Sequence, residues 1–211
     1  MLSHRNLSAS LGAWGLWKKP DKLIVIIAPN KTKGKHKVPA LKLGTWNVTT
    51  MTPGLSDNLQ QVSDARKTAV INNELCRLQV DIIALQETRL PESGINRERD
   101  YSFFWQGKAA NETRVHGVGF ALKDNVLGSI IPPSEGTEIL LKLQLQTSAG
   151  LVSLISAYAQ TLTSASELKD RFYDDFSAAI SKVPLQEPLF ICGDFNARVT
   201  ALDRFVRATL E

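Results

Sequence analysis

The order of its periodic segments constrains this chain most. Two stretches carry helical spacing. In "DNLQQVSDARKTAVINNELCRLQ" (57–79), Leu59, Val62, Ala69, Val70, Leu75 and Leu78 recur near a helical period. "SELKDRFYDDFSAAISKV" (166–183) is amphipathic, and Ser164 and Glu167 stand before it at the spacing of a capping box. The rest, from Leu41 on, reads as strand. "LKLGTWNV" alternates, and "VDIIALQET" is a short apolar run closing in polar residues. "YSFFWQG", "GVGFALKD" and "PLFICGD" are further strands. "TEILLKLQLQTSAGLVSLISAYAQT" is a hairpin turning at "SAG", with Leu141, Leu143 and Leu145 alternating against Lys142, Gln144 and Gln146. The strands follow one another too often for a doubly wound sheet. The class is α/β, as a β-sandwich flanked by helices.

Charge is unevenly placed. Residues 1–42 hold nine Lys/Arg against one Asp, a net of +8, and the remainder holds sixteen against twenty, a net of −4. Residues 1–40, punctuated by Pro20, Pro29, Gly34 and Pro39, read as a poorly ordered basic leader. Within it, Lys31, Lys33, Lys35 and Lys37 of "NKTKGKHK" form either a nucleic-acid contact or import patch, or a solvated linker. The longest apolar run, "LIVIIA", is far short of the roughly 20 residues that span a bilayer. "LGAWGLW" is no signal peptide, being short, broken by Gly and followed at once by Lys18 and Lys19. Cys76 and Cys192 fall in a helix and a buried strand without CxxC partners, which argues against a disulfide framework or a zinc site. The expectation is an intracellular protein, nuclear or cytoplasmic, not secreted, without membrane association, and monomeric.

Four apolar strands end in chemistry. "GTWN" delivers Asn47, "ALQET" delivers Gln86 and Glu87, "SAYAQ" delivers Tyr158, and "CGDFN" delivers Asp194 and Asn196. Gathered at one edge of a sandwich, they make a pocket of carboxylates, amides and a phenol. Hard oxygen donors of this kind suit Mg²⁺ or Mn²⁺, and such a site suits phosphodiester hydrolysis. Each residue also has a plainer role. Asn47 can satisfy a strand end, Glu87 can be a surface carboxylate, Asp194 can close an Asx turn, and Tyr158 can be a half-buried aromatic. The repetition at four strand ends favours the site.

"TWN", "LQET", "AYAQT" and "GDFNA" stand in the order, and near the spacings, of the endonuclease/exonuclease/phosphatase superfamily. Over about Leu41 to Val199 the chain resembles the apurinic-endonuclease-like domain of LINE-type retrotransposons. That resemblance implies a four-layer αββα sandwich and a divalent-metal-dependent phosphodiesterase whose substrate is DNA. It implies that Asn47 and Glu87 help hold the metal and that Tyr158 contacts the scissile phosphate. Asp194 then positions or deprotonates the nucleophilic water, and Asn196 bonds the phosphate or the catalytic groups. His116, in "HGVGF", is not one of the superfamily's catalytic positions and is expected to be structural or at the substrate edge.

Three departures stand out. Thr50 and Gln160 replace the Arg and Pro usual in the retroelement relatives. The relatives also close with a further metal-side Asp and an Asp-His pair, whereas here Asp203 is the only Asp after Asn196 and no His follows. Residues 200–211 therefore read as a tail foreign to the family, and the domain as truncated at its C-terminus and impaired as a nuclease. Two alternatives accompany this reading. One is an inositol-phosphate or lipid phosphatase of the same fold. The other is a non-catalytic fragment that binds nucleic acid through its leader.

Overall fold

The computed structural model describes residues 41–52, 67–133 and 136–196, and the backbone of 17–18 and 23–27. Two β-α-β units organise it. In the first, Lys42–Asn47 (β3) leads through the helix Lys67–Leu78 (α1) to Ile82–Gln86 (β4), which lies parallel to β3. In the second, Gly150–Tyr158 (β10) leads through Ser166–Ser181 (α2) to Leu189–Asp194 (β11), parallel to β10. Parallel pairing requires such a crossover, and it brings the C-terminal ends of both strands to the same edge. The register is in phase there, with Asn47 opposite Gln86 in one sheet and Tyr158 opposite Asp194 in the other.

Antiparallel strands complete both sheets. Ser93–Arg97 (β5), Tyr101–Gln106 (β6) and Val118–Lys123 (β7) extend the first beyond β4, in the order β4-β7-β6-β5. Leu140–Thr147 (β9) pairs with β10 as the expected hairpin, and Ile130–Ile131 (β8) closes that sheet's far side. The first sheet does not start at Leu41, as the sequence suggests. The backbone places Trp17–Lys18 (β1) and Leu23–Ile27 (β2) beside it, with β2 antiparallel to β3. "LIVII" has the β-branched character of a strand, but its partner lies far downstream, so local pattern does not reveal the pairing.

Alternation in the strands sorts the apolar side chains into three interfaces. Leu43, Ile82, Ala84, Phe104 and Phe120 meet Leu141, Leu143, Leu145, Leu154 and Cys192 between the sheets. The opposite parity, Ile83, Leu85, Tyr101 and Phe103, packs under Ile71 and Leu75 of α1. Ile155 and Ala157 meet Phe172 and Phe176 of α2. Three buried interfaces mean four layers, which is the αββα sandwich. The capping box at α2 does not form. Ala165 is the N-cap with no side-chain bond, and the Ser164 hydroxyl instead meets the Thr161 hydroxyl at 3.1 Å. Among the described residues, no helix is long and apolar enough to cross a membrane.

Candidate active site

The four motif-bearing ends converge on the seam between the sheets. Asn47 shares the inward parity of Leu43 and Thr45, Tyr158 that of Leu154 and Ser156, and Asp194 that of Cys192. All three therefore extend the inter-sheet layer at its rim. One amide joins the two halves. Asn47 Nδ2 donates to Glu87 Oε1 at 2.6 Å and to Asp194 Oδ2 at 3.1 Å. The Tyr158 hydroxyl donates to the same Glu87 oxygen at 3.0 Å. Arg89 donates to Glu87 Oε2 at 2.9 Å.

Glu87 reaches this cluster because its backbone leaves the strand. Continued alternation would turn it toward α1, but φ at Glu87 is 55° and its carboxylate bonds Asn47 and Tyr158 instead. Thr49, Arg89 and Asn196 are also left-handed, at φ of 65°, 53° and 44°. Such backbone costs on the order of 1 kcal/mol or more per non-glycine residue and persists where its surroundings over-determine it. At Thr49 the fixing bond is from its own N–H to Asn47 Oδ1, 3.0 Å. At Asn196 it is the N–H to Asp194 Oδ1, 3.0 Å, with the side-chain Nδ2 on Ala159 O at 2.8 Å. Gly193 supplies the remaining tolerance, since a Cβ there would lie 2.1 Å from Ala157 O. β11 approaches β10 this closely only with glycine before Asp194.

Electrostatics follow from these contacts. Burial pushes the Glu87 carboxyl up, but its donors Asn47, Arg89 and Tyr158 outweigh that and leave it below the ordinary glutamate value. Burial, the Glu87 charge and the bond to Glu87 push the Tyr158 phenol up to about 12, so it stays protonated and donating.

The structure brings together Asn47, Glu87, Tyr158, Asp194 and Asn196. It does not bring Gln86 into the pocket. Gln86 is 1% exposed and lies one layer beneath. There it accepts from Thr45 Oγ1 at 3.0 Å and donates to Ser156 Oγ at 3.2 Å, tying the two sheets under the site. Its place in the strand is the missed signal, for it shares the parity of Ile82 and Ala84. Arg89 was also missed, and no spacing in the sequence marks it. Lys31, Lys33, Lys35 and Lys37 lie outside the described residues, as does Asp203. Among the described residues, no group of three or more His, Cys, Asp and Glu converges. The donor set at the seam is two carboxylates and an amide, a sparse, hard set of the kind Mg²⁺ accepts.

The family model described as "Endonuclease/Exonuclease/phosphatase family" matches residues 44–210. The chain belongs to the endonuclease/exonuclease/phosphatase family. The match continues past Val199, where the sequence reading set the end of the domain. Among curated proteins, the chain is 27% identical over 157 residues to craniofacial development protein 2 of Tragulus javanicus, covering 74% of this chain and 25% of that protein. It thus spans about a quarter of the length of that relative. Two solved family folds superpose with a TM-score of 0.50. One is the endonuclease domain of TRAS1, a telomere-specific non-LTR retrotransposon, at 18% identity, covering 70% of this chain and 64% of that one. The other is D. rerio TDP2 complexed with a single-strand DNA product, at 16% identity, covering 79% and 64%. The fold is that of the family's nucleases and phosphodiesterases.

Proposed function

We propose that this chain is a divalent-metal-dependent phosphodiesterase that cleaves DNA, in the manner of a retrotransposon endonuclease. One observation carries the reading: carboxylates from opposite sheets, Glu87 and Asp194, share the amide of Asn47 while Tyr158 caps Glu87. Two anionic groups held this close are suited to a hard cation, and Glu87 would hold it together with Asn47 through Oδ1, the amide atom that accepts from Thr49 N–H. Such an ion, when bound, polarises a phosphoryl oxygen.

The remaining chemistry falls to side chains. Asp194 is fixed through Oδ1 by Asn196 N–H and through Oδ2 by Asn47, which orients it to hold and deprotonate a water. Tyr158, protonated at neutral pH, donates its one hydrogen to Glu87 Oε1 and would turn it to a phosphate oxygen when substrate enters the rim. Asn196 acts on Asp194 through its backbone N–H, and its side-chain amide, donating to Ala159 O, also lies against the Tyr158 hydroxyl. DNA as the substrate is supported by the names of the two folds above, a retrotransposon endonuclease and a protein bound to a DNA product.

Nicking of supercoiled plasmid by the purified chain tests this, with Mg²⁺, with EDTA, and beside Asp194→Ala. The expected result is nicking that requires the metal and falls by about a hundredfold or more in the variant. Nicking that ignores EDTA or survives Asp194→Ala overturns the proposal, and so does a folded sample that never nicks.

A further inference from the structure

Beside Glu87 stands a wall of polar atoms without partners. Thr88 Oγ1, Arg89 Nε and His116 Nδ1 are the buried side-chain polar atoms that lack a hydrogen bond among the described residues. They come from two loops that are zipped together. Thr88 N–H donates to Gly117 O at 3.0 Å, and Arg89 N–H donates to His116 O at 3.2 Å. The turn that makes this pairing needs Gly117, whose φ is 136° and whose missing Cβ would lie 2.3 Å from Thr88 Oγ1. His116 is thereby set against the site, its ring centroid 5.8 Å from that of Tyr158 at 53°.

A buried polar atom left unpaired costs about 1–3 kcal/mol. Thr88 Oγ1 is enclosed by Gly117, so its position reads as tight packing. His116 differs. Its Nδ1 is enclosed, but the residue is only partly buried, its ring rests on Tyr158, and among the described residues no side chain or carbonyl pairs with Nδ1. Burial, reinforced by the Lys108 charge, lowers its basicity, while Glu138 and Glu87 act the other way. Such an imidazole serves as a neutral hydrogen-bonding group. Structural histidines are normally oriented by a carbonyl or a carboxylate. Among the described residues, this one is oriented by an aromatic ring that itself lines the site.

Resting on the DNA-cleavage reading above, we propose that His116 is a substrate-binding residue. Its imidazole, through Nε2 because Nδ1 is enclosed by protein, hydrogen-bonds a phosphate oxygen of the DNA strand seated on the Tyr158 side of the rim.

The test uses the full chain in EDTA, so that nothing turns over, and a short single-stranded DNA oligonucleotide as probe. The chain has three histidines, so the imidazole ¹⁵N resonances of His116 are identified as those missing from His116→Gln. Adding the oligonucleotide is expected to shift these resonances. His116→Ala is expected to weaken binding about tenfold, the scale of one hydrogen bond to a phosphate, and His116→Gln less. Far-UV circular dichroism of both variants checks that they fold. Unmoved His116 resonances while the oligonucleotide binds, or wild-type affinity in a folded His116→Ala, overturn the inference and leave the cleavage proposal standing. If no oligonucleotide binds, the inference falls with them. Nicking that survives Asp194→Ala removes the cleavage reading whatever His116 does.

Discussion

Replacing Gln86 by methionine isolates the polar tie beneath the site. The side chains are similar in length, so packing changes little. What disappears is the acceptor for Thr45 Oγ1 and the donor to Ser156 Oγ. Ser156 keeps its own bond to Leu85 O at 3.2 Å, so its oxygen loses only what it received, while the Thr45 hydroxyl loses its acceptor. Thr45, Gln86 and Ser156 are all buried, and water cannot replace the lost partners. At about 1–3 kcal/mol for each group stranded in this way, the variant should lose about 2–4 kcal/mol. With a urea slope of about 2 kcal/mol per molar, the middle of the usual range, the midpoint should fall by about 1–2 M. A second variant makes the argument decisive. Adding Thr45→Val removes the stranded hydroxyl while Ser156 still donates to Leu85 O, and the double variant should be more stable than Gln86→Met alone. A single variant within about 0.5 kcal/mol of wild type, or a double variant less stable than the single, refutes the reasoning.

Glu87 sets an acid limb for stability. Its folded pKa lies below its unfolded one, so its contribution is complete above the unfolded value of about 4.3 and is lost as pH falls through the folded value. The urea-midpoint difference between wild type and Glu87→Gln should therefore shrink as pH drops below about 4.3, and a difference independent of pH would contradict this. Tyr101→Phe should cost about 1–2 kcal/mol, since the buried Tyr101 hydroxyl serves the carbonyls of Leu75, at 3.1 Å, and Val80. Thermal melting checks it, with a fall of a few degrees expected and an unchanged midpoint contradicting it.

The strands that carry the site were legible because each is a local pattern with a local end. Tyr101–Gln106 and Val118–Lys123 lie where their apolar runs place them, and the hairpin Leu140–Tyr158 where its alternation does. The convergence of Asn47, Glu87, Tyr158 and Asp194 was legible for a related reason. A strand-helix-strand order fixes parallel pairing, and parallel pairing fixes a common edge. Other features depend on partners distant in sequence. "SGINR" has no apolar alternation of its own, yet it forms β5 because β6 lies beside it. The role of Gln86 depends on Ser156, far along the chain and in the other sheet. The left-handed turn at Glu87 leaves no mark in composition, because nothing about a glutamate announces positive φ.

Asn47 and Glu87 ride on one sheet, and Tyr158 and Asp194 on the other. Among the described residues no backbone ladder crosses between them, so the spacing of the two carboxylates is not set by either sheet alone. It is set by the alignment of two slabs that meet through Phe104, Phe120, Leu143 and Leu154 and through the Thr45–Gln86–Ser156 tie. Sliding one slab over the other by a fraction of an ångström leaves every strand pairing intact and detunes the carboxylate pair. On the cleavage reading proposed above, turnover is a gauge of shear. Substitutions deep in the apolar layer, remote from the rim and harmless to secondary structure, should register in rate before they register in melting.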